Sequence, residues 1–235
     1  GIRMAERYSG AHDEYGRVSN WIVGNEVNNN QSWNYVGPMD LQSYTKLFEK
    51  VFRVAYTAIR SQNQNARVFF STDYEWNREN TTLRYAAKDF IDLFNAGIRS
   101  EGNIDWGLAY HPYPYPLTEP EFWDDDEAGM TTQSEDSPVV NFNNLNVLTD
   151  YFQKSELRNA DGRVRHIILS EEGFTSDSAT RGKVYDIQAA AYAYAYYLVD
   201  ANPYIDAFIL NRQVDAVVEV EQSCAFGIWT VNIIS

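Results

Sequence analysis

Two glutamates in this chain each follow a short apolar run: Glu26 after Trp21-Ile22-Val23-Gly24-Asn25, and Glu171 after Ile167-Ile168-Leu169-Ser170, with Glu172 and Gly173 next. A carboxylate at the end of a buried strand is costly to hold, and two of them point to a shared site. The chemistry that most often uses such a pair is cleavage of a glycosidic bond. One protonated carboxyl donates to the leaving oxygen while one ionised carboxylate attacks the anomeric carbon. In the retaining form of the reaction the two groups lie about 5–5.5 Å apart.

Other polar and aromatic residues sit where they could serve the same site. Asp73, Glu75 and Trp76 follow the run Phe69-Phe70-Ser71 and could bind sugar hydroxyls or stack on a ring. His111 and Tyr113 follow another run, in Ala109-Tyr110-His111-Pro112-Tyr113. Trp33 and Trp123 are further stacking candidates in expected loops. A metal-dependent hydrolase built on Asp73, His111 and Glu172 is a weaker reading, because there are only 3 histidines and no His-x-His or His-Glu-x-x-His pair. The expectation is a site with no metal and no cofactor.

The elements that must position these residues alternate. Strand-like runs cover residues 20–24, 67–71, 104–110, 166–170 and 205–210. Between the first two, Leu41, Tyr44, Leu47, Phe48, Val51, Phe52, Ala55 and Ile59 recur at helical spacing, with Asp40 as N-cap. Further helices are expected over 83–99, stopped by Gly102, over 142–157, and over 183–199, where the Ala/Tyr tract reads as a helix packed tightly on the sheet. Such alternation is the mark of an α/β fold with a parallel sheet. One long connection, from Pro112 to Val139, carries Pro112, Pro114, Pro116 and Pro120, then the run Asp124-Asp125-Asp126-Glu127. Connections of this length in a compact domain are usually functional or disordered, and this acidic run reads as a solvated loop tip.

Composition excludes several classes. The chain has 235 residues, 44% of them hydrophobic, enough for one large α/β domain spanning 1–235. Its formal charge of −14 would repel a phosphate backbone, so nucleic acid is not an expected partner. The single cysteine, Cys224, rules out an intrachain disulfide. No run approaches the length of a membrane span, and the amino terminus carries no signal-peptide pattern.

Gly24-Asn25-Glu26 and Ser170-Glu171-Glu172-Gly173 resemble the paired signatures of the large clan of retaining glycoside hydrolases built on (β/α)₈ barrels, clan A. In that clan an Asn-Glu at the end of strand four supplies the acid/base and a Glu ending strand seven is the nucleophile. The resemblance therefore implies that Glu26 is the acid/base and Glu171 the nucleophile, with Glu171 preferred to Glu172 for its Glu-x-Gly form. Asn25 resembles the asparagine that binds the sugar 2-hydroxyl, and His111 with Tyr113 resembles the His-x-Tyr of strand six, whose Tyr can reach the nucleophile. Asn211 and Arg212 depart from the pattern, since many clan members place a Trp there, and Trp229 is a substitute candidate.

The implied fold is a TIM (β/α)₈ barrel present in part, about strands 4 to 8, because residues 1–19 are too few for three strand-helix units. The first strands are then expected from the missing N-terminal half of the same barrel or from another chain. The implied function is hydrolysis of a β-linked polysaccharide or oligosaccharide, in an extracellular or periplasmic setting, with Asn25, Asp73, Trp76, His111, Tyr113 and Glu172 around the substrate. A glycan-binding barrel without catalysis is the alternative.

Overall fold

The computed structural model describes residues 2–230. Helix α1 (Ile2–Arg7) precedes strand β1 (Asn20–Ile22), helix α2 (Leu41–Gln62), strand β2 (Arg67–Thr72), helix α3 (Ala87–Ser100), strand β3 (Trp106–Tyr110), helix α4 (Leu145–Phe152) and strand β4 (Ile167–Glu172). A small hairpin, β5 (Asp177–Ser178) with β6 (Gly182–Lys183), leads into helix α5 (Tyr185–Asp200), strand β7 (Ile205–Leu210) and helix α6 (Val217–Val220). The main sheet has the order β1-β2-β3-β4-β7. Strand β1 pairs parallel with β2, and β4 parallel with β7. The fold is therefore mixed α/β with crossover helices, as the spacing predicts.

Element boundaries differ from the sequence reading where tertiary hydrogen bonds take over. Helix α2 begins at its expected cap, with Asp40 accepting from the Ser43 amide at 2.9 Å. Helix α3 starts at Ala87 and not near residue 83. The preceding segment is turned by Thr81, whose hydroxyl accepts from the amides of Leu83 and Arg84 at 3.2 and 3.0 Å, and the Tyr85 amide donates to the Asn28 carbonyl at 2.9 Å. Helix α4 stops at Phe152, five residues before the expected end. Downstream, the Leu157 carbonyl accepts from the Arg165 guanidinium at 2.7 Å.

The chain forms two compact units. Unit 1 draws on Gly1–Thr72, Glu79–Ala109 and Phe152–His166. Its core is aromatic: Phe70 lies 4.7 Å from Phe94 and 5.3 Å from Trp106, ring centre to ring centre, and Phe48, Phe52 and Phe90 close around them. Edge-to-face pairs of this kind add about 0.5–1.5 kcal/mol each beyond the area they bury. Arg165 is fully buried beside this core, 4.4 Å over the Trp106 ring. Its donors reach the Leu157 and Ile104 carbonyls and the Asn103 side chain. Burial lowers its pKa to about 10, against the opposing pull of Asp105.

Unit 2 draws on Asp73–Arg78, Tyr110–Tyr151 and Ile167–Ser235. Here Phe122, Phe142 and Phe174 pack with centroids 5.5 Å apart, and Trp76 stands edge-on to Tyr151 at 5.2 Å. Helix α5 buries Gln188, Ala191, Ala195 and Val199, a mostly small-residue stripe at helical spacing that lets the backbone approach closely. Its tyrosines 185, 194, 196 and 197 face outward. The close packing expected of this Ala/Tyr tract uses Ala191 and Ala195 together with Tyr192, edge-on to Phe174, and Tyr194, stacked on Phe122. Among the described residues no helix is long and apolar enough to cross a membrane.

Replacing Arg165 with Met keeps much of the volume but strands several buried acceptors, each worth about 1–3 kcal/mol when left unpaired. The expected outcome is a loss of at least about 3 kcal/mol in urea unfolding, and a loss under about 1 kcal/mol would contradict the role given to this side chain.

Candidate active site

In unit 1 the chain leaves β1 through a turn that sets Glu26. Gly24 takes φ +79°, and a Cβ there would meet Val27 Cγ1 at 2.7 Å, so the glycine of Gly-Asn-Glu is required by the turn itself. Glu26 also adopts positive φ, 38°. That conformation is held from several sides: the Glu26 amide donates to Ser71 Oγ at 2.8 Å, the Val27 amide to the Ser71 carbonyl at 2.8 Å, and the Glu26 carbonyl accepts from the Asn29 amide at 2.7 Å. Tyr44 Oη donates to the Val27 carbonyl at 2.8 Å. The carboxyl itself accepts at Oε2 from the indole N–H of Trp33. Glu26 is nearly buried and Asn25 beside it is exposed.

In unit 2 a second carboxyl is held at the end of β4. Tyr113 Oη donates to Glu171 Oε1 at 2.9 Å and accepts from Asn211 Nδ2 at 2.7 Å. His111 Nε2 lies 3.1 Å from Ser170 Oγ, and its Nδ1 lies 3.9 Å from Glu171 Oε2. Glu171 keeps 34% of its side chain exposed. Glu172, on the opposite side of the strand, has no exposed surface and neither of its oxygens makes a hydrogen bond. Burial pushes its pKa well above the usual carboxylate range, helped by the charge of Glu171. The glycine of Glu-x-Gly has its own reason: a Cβ on Gly173 would sit 2.3 Å from the Asn211 carbonyl oxygen and 2.8 Å from Phe226.

The long connection that follows Tyr113 is pinned and not a loose loop tip. Asn141, fully buried, donates from Nδ2 to the Tyr113 carbonyl at 3.3 Å and to Asp125 Oδ2 at 2.5 Å. Asp125 also accepts from the Tyr115 amide at 2.9 Å. Asn144 Nδ2 reaches the Thr132 and Val139 carbonyls and Ser137 Oγ. Asp125, read from sequence as part of a solvated acidic run, is thus 5% exposed. Burial raises its pKa to about 7, with Asp124 and Asp126 adding to the shift and the Tyr115 and Asn141 donors opposing it.

Residues 3–233 match the model of a family of unknown function, DUF5722. The chain belongs to this family. No curated protein sequence matches it. In structure it is similar to a family 39 glycoside hydrolase from the gut symbiont Bacteroides cellulosilyticus WH2, with a TM-score of 0.59 at 18% identity, over 97% of this chain and 39% of that one. A β-glucuronidase from Ruminococcus gnavus in complex with uronic isofagomine matches with a TM-score of 0.51 at 14% identity, over 97% of this chain and 32% of that one. A hyperthermophilic β-glucosidase mutant matches with a TM-score of 0.53 at 16% identity, over 98% and 55%. At such identities the likeness is one of fold: this DUF5722 chain shares the fold of a part of these glycoside hydrolases. It spans from about a third to just over half of their length.

Several expected site residues of the DUF5722 chain have other duties. Trp76 is fully buried and its indole N–H donates to the Glu135 carbonyl at 2.9 Å, so it presents no face for stacking. Asp73 is 4% exposed and its Oδ1 accepts from the Glu75 amide at 3.1 Å, closing its own turn, while Glu75 pairs with Arg78. Glu172, expected at the substrate, is sealed behind β4 because the strand pleat that turns Glu171 outward turns its neighbour inward. Trp123 packs against Phe122 and Tyr194, whereas Trp229 is exposed. Asp73, His111 and Glu172 do not gather as metal ligands among the described residues. The sequence reading missed the donor role of Trp33, the bridging role of Asn211, and the Asp125–Asn141 anchor. For Asn211 the available signal was a polar residue just past a strand run.

The raised pKa of Asp125 has a definite sign. Its folded-state value of about 7 lies above the ordinary value of 3.8 for an aspartate, so folding favours the protonated form. That contribution is complete below the unfolded value, declines as pH rises between the two, and is gone above the folded one. Asp125→Asn should flatten the fall in unfolding free energy across this window, a fall of roughly 3–5 kcal/mol. Urea titrations at a series of pH values check it; an unchanged slope in the variant would contradict the assignment.

Proposed function

We propose that this chain carries the catalytic carboxyls of a retaining glycoside hydrolase acting on a β-linked polysaccharide or oligosaccharide, with Glu26 as acid/base and Glu171 as nucleophile. The observation that carries the reading is the setting of Glu171: a partly exposed carboxyl at a strand end, oriented by a tyrosine that is itself oriented by Asn211. The fold likeness to glycoside hydrolases supports it.

In this reading Glu171 attacks the anomeric carbon while the glycosidic C–O bond breaks and Glu26 gives its proton to the departing oxygen. A glycosyl ester on Glu171 results. Glu26, now a carboxylate, takes a proton from water, whose oxygen attacks the anomeric carbon and frees Glu171. Tyr113 holds Glu171 Oε1, so its other oxygen is the one presented to the sugar. Asn25, exposed beside Glu26, is the candidate for the 2-hydroxyl of the sugar. A polymeric glycan does not cross a membrane, which favours an extracellular or periplasmic place of action.

In the complete protein, Glu171→Gln is expected to lower kcat at least about 1000-fold and to abolish labelling by a 2-fluoro glycoside, read by peptide mass spectrometry. Glu26→Gln should impair glycosides with poor leaving groups far more than activated ones, with azide restoring part of the loss. Full turnover by either variant would remove that residue from its role.

A further inference from the structure

We infer that Trp33 selects the oxygen from which Glu26 delivers its proton and forms the platform for the leaving sugar ring, so that the bond cleaved joins two sugars. The inference rests on the reading of Glu26 as acid/base. It comes from three features of unit 1: the indole contact with the carboxyl, the exposure of the indole, and the rigid turn that presents it.

An indole N–H can donate but never accept. The carbonyl oxygen of a carboxylic acid is a better acceptor than its hydroxyl oxygen, so the indole contact favours Oε2 as the carbonyl oxygen and Oε1 as the one that delivers the proton. A carboxylic acid free to protonate either oxygen would be correctly loaded only part of the time. Trp33 biases that choice and restrains the carboxyl plane as well. Proton transfer then runs from Oε1 to the glycosidic oxygen as its bond to the anomeric carbon breaks, and the departing fragment leaves as the neutral alcohol.

Although its N–H is engaged, Trp33 is 50% exposed. It stands on a short π-helical turn, Asn30–Asn34, and Tyr35, 77% exposed, follows it. Asparagine side chains make the turn rigid: Asn29 accepts from the Ser32 amide at 3.2 Å, Asn30 Oδ1 accepts from the Val36 amide at 2.9 Å, and Asn30 Nδ2 donates to the Gly37 carbonyl at 2.8 Å. The Gln31 amide adds a bond to the Leu83 carbonyl at 3.0 Å. The exposed part of this rigidly held indole is open to a ligand. Because the acid acts on the oxygen of the leaving group, a ring bonded to the acid lies beside that leaving group. The flat apolar face of a pyranose is the surface an exposed indole fits.

The test combines a spectroscopic and a kinetic readout on the complete protein. With ¹⁵N-labelled tryptophan, the Trp33 indole N–H is expected to resonate downfield and to exchange slowly with solvent, and to lose both properties in Glu26→Ala. Trp33→Phe keeps a ring but no donor. Across a panel of β-linked disaccharides and their matched 2,4-dinitrophenyl glycosides, its kcat should fall at least about 10-fold more on the disaccharide than on the activated glycoside, which needs no proton. Trp33→Ala should in addition raise KM for the disaccharide. An indole resonance indifferent to Glu26→Ala, or equal losses on both substrate types in Trp33→Phe, would overturn the inference alone. Absence of any glycoside hydrolysis by the wild-type protein would overturn the glycosidase reading, and this inference with it.

Discussion

The pleat of β4 places two neighbouring carboxyls in opposite surroundings, and the chemistry of unit 2 depends on that constraint. Successive side chains on a strand point to opposite faces. Glu171 therefore reaches solvent, Tyr113 and the neighbourhood of His111, whereas Glu172 faces the interior with no hydrogen bond to either oxygen. A buried acid without partners holds its proton. Glu171 is the member of the pair that solvent reaches. A slip of one residue in strand register would exchange these roles and disable both.

The two proposed catalytic carboxyls are positioned by different devices. Glu171 sits at the end of β4, where the pairing with β7 shifts register between Leu169 and Glu172, and the Tyr113–Asn211 chain sets its rotation. Glu26 lies beyond the end of β1, on a turn with positive φ at both Gly24 and Glu26. There the backbone has no ladder to define it. Ser71, Asn29 and Tyr44 supply the missing hydrogen bonds, and Trp33 holds the carboxyl. Backbone strain of this sort persists only where the surroundings over-determine it.

Much of the architecture was legible in the sequence because its signals are local. The helix of residues 41–62 has an unbroken apolar period and an Asp cap, and the five strand runs are bounded by polar or glycine residues. Helix α3 begins later than the apolar pattern predicts, because Leu83 and Tyr85 continue that pattern while Thr81 and Asn28 take the backbone into a turn. No local rule reveals such a competition. Among site residues, the glutamates and the His-x-Tyr stand at strand ends and could be read as candidates. Trp76 and Asp73 occupy similar positions in sequence, yet packing against Tyr151 and closure of a local turn claim them. Asp125 was misread for the opposite reason: an acidic run looks solvated, and only the distant Asn141 shows that one member is buried.

The account stands or falls on whether Glu26 and Glu171 serve one sugar. The most direct measurement is the separation of their carboxyls in a crystal structure of the complete protein with a 2-fluoro glycosyl group trapped. The account predicts carboxyl groups about 5–5.5 Å apart, with the label esterified to Glu171 and Glu26 on the leaving-group side. Carboxyls separated by well over about 10 Å, or a label on another residue, would contradict it.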